Sequence, residues 1–225
     1  MAPQIRLQKQ HLADLQSIRD LGADRLCRIV TEIQKRPVSP IQPKELRELI
    51  STALDNSGTT SGVVLRQLLS LHGMRRQLHL SSDDIFAGLD AGLQESDWPP
   101  TDLERWRSVS VVFKKLFDLP IVQLTAKALD LSYQHSHLLQ SARIITDVRP
   151  LFNADATEMQ GMAISHKLLL RYDDAEGEHS LSVAVDERDV DLLIKQCERA
   201  LKKSKTAQAQ LKEKAGLDTL IPGAD

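Results

Sequence analysis

The chain has 225 residues, with 29 Lys and Arg against 31 Asp and Glu and a formal net charge of −2. This balance argues against a protein whose whole surface binds a polyanion, and a hydrophobic content of 41% is too high for a disordered chain. Two cysteines, Cys27 and Cys197, form neither a disulfide framework nor a zinc cluster, which favours a reducing compartment. The first residues lack the apolar core of a secretion signal, and no apolar run approaches about 18 residues. We therefore expect a cytoplasmic protein without a membrane-spanning helix.

Apolar residues recur at helical spacing from the start of the chain to about residue 140, which predicts a helical domain over 1–140. Gly22 interrupts the first apolar stripe and is expected to bend or split that helix. Pro43 suits the first turn of the next helix, and Ser81, with an acid three residues later, forms a capping arrangement. Residues 56–62 are small and polar and predict a loop. We expect roughly six or seven helices, mostly antiparallel neighbours.

Beyond residue 140 the period of the apolar residues changes from helical to alternating. Alternation over 142–149, 162–172 and 181–185 predicts three strands, and the turn residues 173–177 predict a hairpin between the second and third. Asp186 is a good N-cap for a final helix with an apolar stripe.

The predicted fold class is α+β: an all-helical N-terminal domain, then a three-stranded antiparallel β-meander capped by a long C-terminal helix. We assign 1–140 to the helical domain, 141–215 to the β-β-β-α domain and 216–225 to a flexible tail. One helix covers only one face of a sheet, and both faces of this sheet carry apolar residues. The N-terminal helices or a second copy in a twofold dimer must cover the other face. The candidate oligomer-interface residues are Ile144, Val148, Ile164, Leu168, Leu170, Val183 and Val185.

Charge is segregated at the end of the chain. Residues 173–191 hold eight acidic residues against one basic, and residues 195–214 hold seven basic against two acidic. The helix dipole favours this order of charges, so helix stability explains most of it. The basic segment nevertheless leaves a nucleic-acid-associated regulator as the alternative function, although no aromatic residues interleave its lysines to stack on bases. A helix-turn-helix across 44–80 is disfavoured because the predicted loop is too long for that motif.

No phosphate-binding loop, dinucleotide fingerprint or zinc-protease motif is present. His135 and His137 lie two apart on a predicted helix and point in opposite directions, so we expect a buried His135 and no metal site. Cys197 lies on an apolar stripe and is predicted to be a packed thiol. We expect no catalytic residue and no cofactor. An enzyme with a site assembled from scattered residues stays an alternative, which a pocket joining its candidates would support: Asp147, Arg149 and His166.

The segment from about 141 to 205 resembles the COMM-domain proteins. The matching stretches are Ile145-Thr146-Asp147-Val148, the strand around Lys167-Leu168-Leu169-Leu170, and Leu181-Ser182-Val183-Ala184-Val185 before an Asp-capped helix with Leu192-Leu193. The family's tryptophan at the start of the first strand is missing, and Pro150 is not a family feature. Residues 142–150 are also similar to uncharacterised bacterial proteins. The COMM resemblance implies a non-enzymatic adaptor that joins itself or other proteins through its sheet and helix and presents its helical domain to partners.

Overall fold

The computed structural model describes residues 5, 7–55, 58–174 and 176–223. Over these residues the chain forms seven helices and one three-stranded antiparallel sheet of order β1-β2-β3, which confirms the predicted α+β class. The helices are α1 Lys9–Gln34, α2 Pro43–Ala53, α3 Gly58–Gln77, α4 Ser82–Gln94, α5 Pro100–Phe117, α6 Pro120–Tyr133 and α7 Glu187–Ala215. The strands are β1 Leu138–Phe152, β2 Met159–Asp174 and β3 Gly177–Val185.

The chain divides into two compact units. The first, the helical unit, runs to Ser132 and resumes at Leu211, and the second, the β-β-β-α unit, spans Tyr133–Gln210. The sequence predicts these divisions at 140/141 and 215/216. Residues 211–223 therefore group with the helical unit, where the Asp218 carboxylate accepts a hydrogen bond from Ser39.

The helical unit has a well-packed core. Its largest fully buried side chains include Trp106, Phe113 and Phe117, and Phe86 packs edge-on against both phenylalanines. The buried Asp14 carboxylate accepts hydrogen bonds from the Arg66 guanidinium, so the charge introduced into the core is paired. This unit is an ordinary globular domain built mainly from aliphatic residues.

Several helix ends follow the sequence. Gly22, at φ 77°, breaks the helical backbone of α1, Pro43 begins α2, and Ser81 forms a complete capping box at α4. The predicted loop 56–62 is wrong over its second part, because α3 begins at Gly58, while residues 56 and 57 lie outside the described residues. Within that first turn the Ser61 hydroxyl donates a hydrogen bond to the Gly58 carbonyl oxygen.

The β-β-β-α unit differs sharply from the helical unit in burial. Every buried residue of the described chain lies at or before Ala126, so the described part of Tyr133–Gln210 contains none. Helix α7 has no buried residue along its 29 residues, and it does not bury its apolar stripe on the sheet as the predicted cap would. None of the helices over the described residues is long and apolar enough to span a membrane.

Candidate self-association surface

The register of the sheet brings all seven predicted interface residues onto one face. Ile144 lies opposite Leu168 and Val148 opposite Ile164 in the β1–β2 pairing. In the β2–β3 pairing, Val183 lies opposite Leu168. Residues directly opposite one another in an antiparallel pair share a face, and so do residues two apart along a strand. We call this surface the apolar face; it comprises Ile144, Val148, Met162, Ile164, His166, Leu168, Leu170, Leu181, Val183 and Val185.

The apolar face is open over most of its area. Its large side chains Ile144, Val148, Met162, Ile164, Leu181 and Val183 are each 41–68% exposed. Their register places them side by side on one face of the sheet, so together they form a contiguous exposed apolar patch. Exposed apolar side chains gathered on one face make this surface a candidate interaction site.

One polar pair lies within this apolar face. The Thr146 hydroxyl and the Nδ1 atom of His166 are 3.0 Å apart on neighbouring strands. This hydrogen bond satisfies one ring nitrogen without recruiting a charged group, so His166 is compatible with burial beneath a partner.

The opposite face of the sheet is mixed in character. Asp147 lies 3.7 Å from Arg149 and 4.0 Å from Lys167, while Ile145, Leu151 and Leu169 are its principal apolar residues. The charged groups satisfy one another at the surface, so this face tolerates water better than the apolar face does.

A pocket that joined Asp147, Arg149 and His166 would have supported the enzyme alternative. His166 lies opposite Thr146, which is one residue before Asp147 on β1. Because side chains alternate between the two faces along a strand, His166 lies on the apolar face, whereas Asp147 and Arg149 lie on the mixed face. The three side chains therefore do not form a common site.

Helix α7 carries a second open apolar surface. We call it the helix stripe; it comprises Val190, Leu193, Ile194, Cys197 and Leu201 at helical spacing. Leu193, Ile194 and Leu201 are 38%, 53% and 67% exposed, and the Cys197 thiol is free and exposed. The prediction that Cys197 is a packed thiol is wrong, because no residue of α7 is buried among the described residues and this thiol is exposed.

The basic half of α7 is only partly neutralised. Lys195 pairs with Asp191 at 2.5 Å and Lys212 with Asp218 at 2.6 Å. In the part of the chain that the structure describes, four cations further along the helix have no ion-pair partner: Arg199, Lys202, Lys203 and Lys205.

The histidine predictions need a correction. Helix α6 ends at Tyr133 and β1 begins at Leu138, so His135 lies between elements and is exposed rather than buried in a helix. The apolar stripe that suggested a longer helix is interrupted because Leu138 belongs to the strand.

A cluster at the end of the hairpin was not found from the sequence. The Asp174 carboxylate lies 3.0 Å from the Nε2 atom of His179 and 3.9 Å from that of His137, and Tyr172 packs against both rings. Hydrogen bonding from the backbone N–H of Glu176, and then the His179 side chain, hold the pKa of Asp174 below its usual value. Only the strand register brings these residues together. No group of three metal-ligating side chains suited to an ion occurs among the described residues.

The structure removes the argument from loop length against a helix-turn-helix formed by α2 and α3. The connection between α2 and α3 has four residues rather than seven, so its length fits the motif. However, α3 is buried along one face, and Arg66 on that helix is held by Asp14. A recognition helix needs its polar side chains free to reach DNA, and Arg66 is not free to do so.

Neither the scan against protein-family models nor the search of curated proteins gives a match to this chain.

Proposed function

We propose that this chain is a non-enzymatic adaptor that forms a homo-oligomer through its β-β-β-α unit. The helical unit, with its own complete core, then presents binding surfaces to other proteins. The observation that carries this proposal is a contrast in burial. The described part of Tyr133–Gln210 has no buried residue, whereas the helical unit has a well-packed hydrophobic core.

Ordering the β-β-β-α unit costs conformational entropy. Fixing each residue costs about 1–2 kcal/mol of backbone entropy, which burial of apolar surface must offset. A three-stranded sheet needs a covered hydrophobic face for independent stability. The apolar face and the helix stripe supply the required side chains, but each is exposed in the single chain. A partner that covers both supplies the missing core.

The junction between β3 and α7 favours a second copy as that partner. Asp186 alone separates Val185 from Glu187, whereas connections between a strand and a helix packed on its sheet usually have about two to six residues. The Asp186 side chain accepts the backbone N–H groups of Arg188 and Asp189, and the Asp189 carboxylate accepts the N–H of Asp186. This reciprocal cap fixes the direction in which α7 leaves the strand. We propose that the helix stripe packs on the apolar face of a second copy, because its own exposed side chains need a cover.

The two surfaces also match in width and in number. Three strands span about 10 Å between the outer two, which is close to the diameter of one helix. In a twofold dimer each copy offers one apolar face and accepts one helix stripe, so both surfaces are covered reciprocally. The COMM resemblance of residues 141–205 supports the same use of sheet and helix.

Both cysteines are free and exposed, which supports a reducing, bacterial-type cytoplasm as the location.

A matched pair of substitutions tests this proposal. Val183 and Ser182 are neighbours on β3 that point to opposite faces, and both are exposed. Val183→Asp places a charge in the dimer interface and is expected to weaken association at least about a hundredfold, measured by sedimentation equilibrium. Ser182→Asp, on the mixed face, is expected to associate as the unmodified chain does. Equal association of all three proteins would refute the apolar face as the interface.

A nucleic-acid-associated regulator is the second candidate, and the unpaired cations Arg199, Lys202, Lys203 and Lys205 favour it. Phosphate-driven binding falls steeply with salt, so a gel-shift titration at two salt concentrations tests it directly. Saturable, salt-dependent binding of duplex DNA or RNA would favour this candidate.

A further inference from the structure

A cavity lies between α3 and α6 in the helical unit, remote in sequence from the apolar face. It has a volume of about 450 Å³, within the usual range of small-molecule sites. Its residues come from the end of α3 and the first two turns of α6: His72, Arg75, Arg76, Pro120, Gln123, Leu124, Ala126 and Lys127.

The cavity lining is strongly positive. It contains three cations, of which only Arg76 has a carboxylate partner, Asp130. Neither Arg75 nor Lys127 makes an ion pair within the described ranges of the chain. Unpaired cations gathered at one concave site attract an anion, because low-dielectric walls concentrate their field. The beginning of α6, at Pro120, adds the partial positive charge of a helix N-terminus.

His72 shows how the site is built. Its ring is buried and stacked on Phe117 at a centroid distance of 3.8 Å, and its Nε2 atom lies 3.1 Å from the Phe117 carbonyl oxygen. Burial, and then the charge of Arg75, lower the pKa of His72 to about 4, so the ring is neutral at pH 7. A neutral ring whose Nε2 donates to a carbonyl keeps Nδ1 as an acceptor. The positive field in the cavity thus already acts on a group of the protein itself.

Arg75 is oriented without an ion pair, and the nearby Asp118 carboxylate only interacts with its charge at longer range. Its guanidinium carbon lies 5.6 Å from the centre of the Phe117 ring, the same ring that His72 stacks on. A cation–π contact positions the guanidinium but leaves its N–H donors free for a planar oxyanion. Pro120 and Leu124 also line the cavity and give it apolar surface, which suits a ligand with a carbon skeleton.

We propose that the α3–α6 cavity binds a small organic oxyanion, a phosphate ester or a carboxylate, through Arg75 and Lys127. The remainder of the ligand packs on Pro120 and Leu124. This site belongs to the helical unit alone and does not depend on self-association.

The test uses the full chain at constant ionic strength. Glucose 6-phosphate, succinate and sodium chloride serve as the probes, and binding is measured by calorimetric titration and by the shift in thermal unfolding. Saturable binding of glucose 6-phosphate identifies a phosphate site, and saturable binding of succinate identifies a carboxylate site. Either result supports the proposal. No saturable binding of either probe beyond the effect of chloride would overturn it.

Matched variants locate the binding. Arg75→Gln with Lys127→Gln removes both unpaired cations of the cavity and is expected to weaken binding tenfold or more. Arg107→Gln with Lys115→Gln removes two exposed cations of α5 outside the cavity and is expected to leave binding unchanged. The single substitution Lys127→Gln, at an exposed position, weakens binding even where the Arg75 change disturbs folding. Equal losses in the cavity and control variants would contradict the site.

Discussion

Ile144 on β1 lies directly opposite Leu168 on β2, and both side chains open onto the apolar face. Leu168 is central on that face because Val183 lies opposite it on the other side. Leu168→Asp is expected to yield a monomer or an unfolded β-β-β-α unit, since a charge here loses its water when a partner packs on it. Light scattering and circular dichroism distinguish these two results. A folded oligomer of unchanged mass would argue against the interface.

The reciprocal arrangement of helix and sheet makes a prediction for the thiol in the helix stripe. In a Cys27→Ser background, Cys197 is the single native thiol, and a second cysteine is introduced as Leu181→Cys or Val183→Cys. We expect disulfides between chains after mild oxidation, seen as a cross-linked species when two copies with different tags are mixed. Disulfides confined to single chains would mean that α7 folds back on its own sheet. Cys197→Ser is the matched control.

The stability of the helical unit is predicted to depend on pH through His72. The unfolded imidazole takes up a proton near pH 6.5, whereas burial and Arg75 lower the folded pKa to about 4. The unfolded chain therefore binds more protons between these values, and protonation favours unfolding. The free energy of unfolding therefore keeps its full value above pH 6.5, as far as His72 is concerned, and falls by about 3 kcal/mol as the pH approaches 4.

Tryptophan fluorescence measures this effect selectively, because Trp98 and Trp106 are the chain's two tryptophans and both lie in the helical unit. The free energy of unfolding is measured with denaturant at pH 7 and at pH 5. The difference between these two values should be smaller for His72→Gln than for the unmodified chain. The exposed His135→Gln variant should keep the original difference. An identical pH dependence for His72→Gln would show that this ring is not the titrating group.

The basic part of α7 is expected to contribute little to self-association. Lys202, Lys203 and Lys205 are exposed and lie outside the helix stripe, so their joint replacement by Gln should leave solution mass and melting temperature unchanged. Size-exclusion chromatography and thermal unfolding provide the readouts. If the triple variant retains its stability but loses an activity of the unmodified chain, that activity depends on these cations and the nucleic-acid candidate gains support.

The order of elements follows from local patterns in the sequence. Periods of 3.6 and 2, the kink at Gly22 and the caps at Ser81 and Asp186 are local features, and each appears in the structure. Alternation also separates the sheet faces, which is why all seven candidate interface residues lie together.

Features that depend on contacts distant in sequence were not predicted. The α3–α6 cavity and the Asp174 cluster arise from helix packing and strand register, and no local pattern specifies either. The start of α3 at Gly58 was not predicted because runs of small polar residues are typical of loops. The prediction that Cys197 is packed was wrong because apolar residues at helical spacing define one face of a helix. The spacing does not show whether another element covers that face.

Solution mass, measured by light scattering on a size-exclusion column over a range of concentrations, tests the central claim most directly. The proposed self-association predicts a closed oligomer, with a mass of at least twice the 25.2 kDa of one chain and constant at high concentration. A mass of 25.2 kDa at every concentration would contradict it, because the apolar face would then need no second copy to cover it.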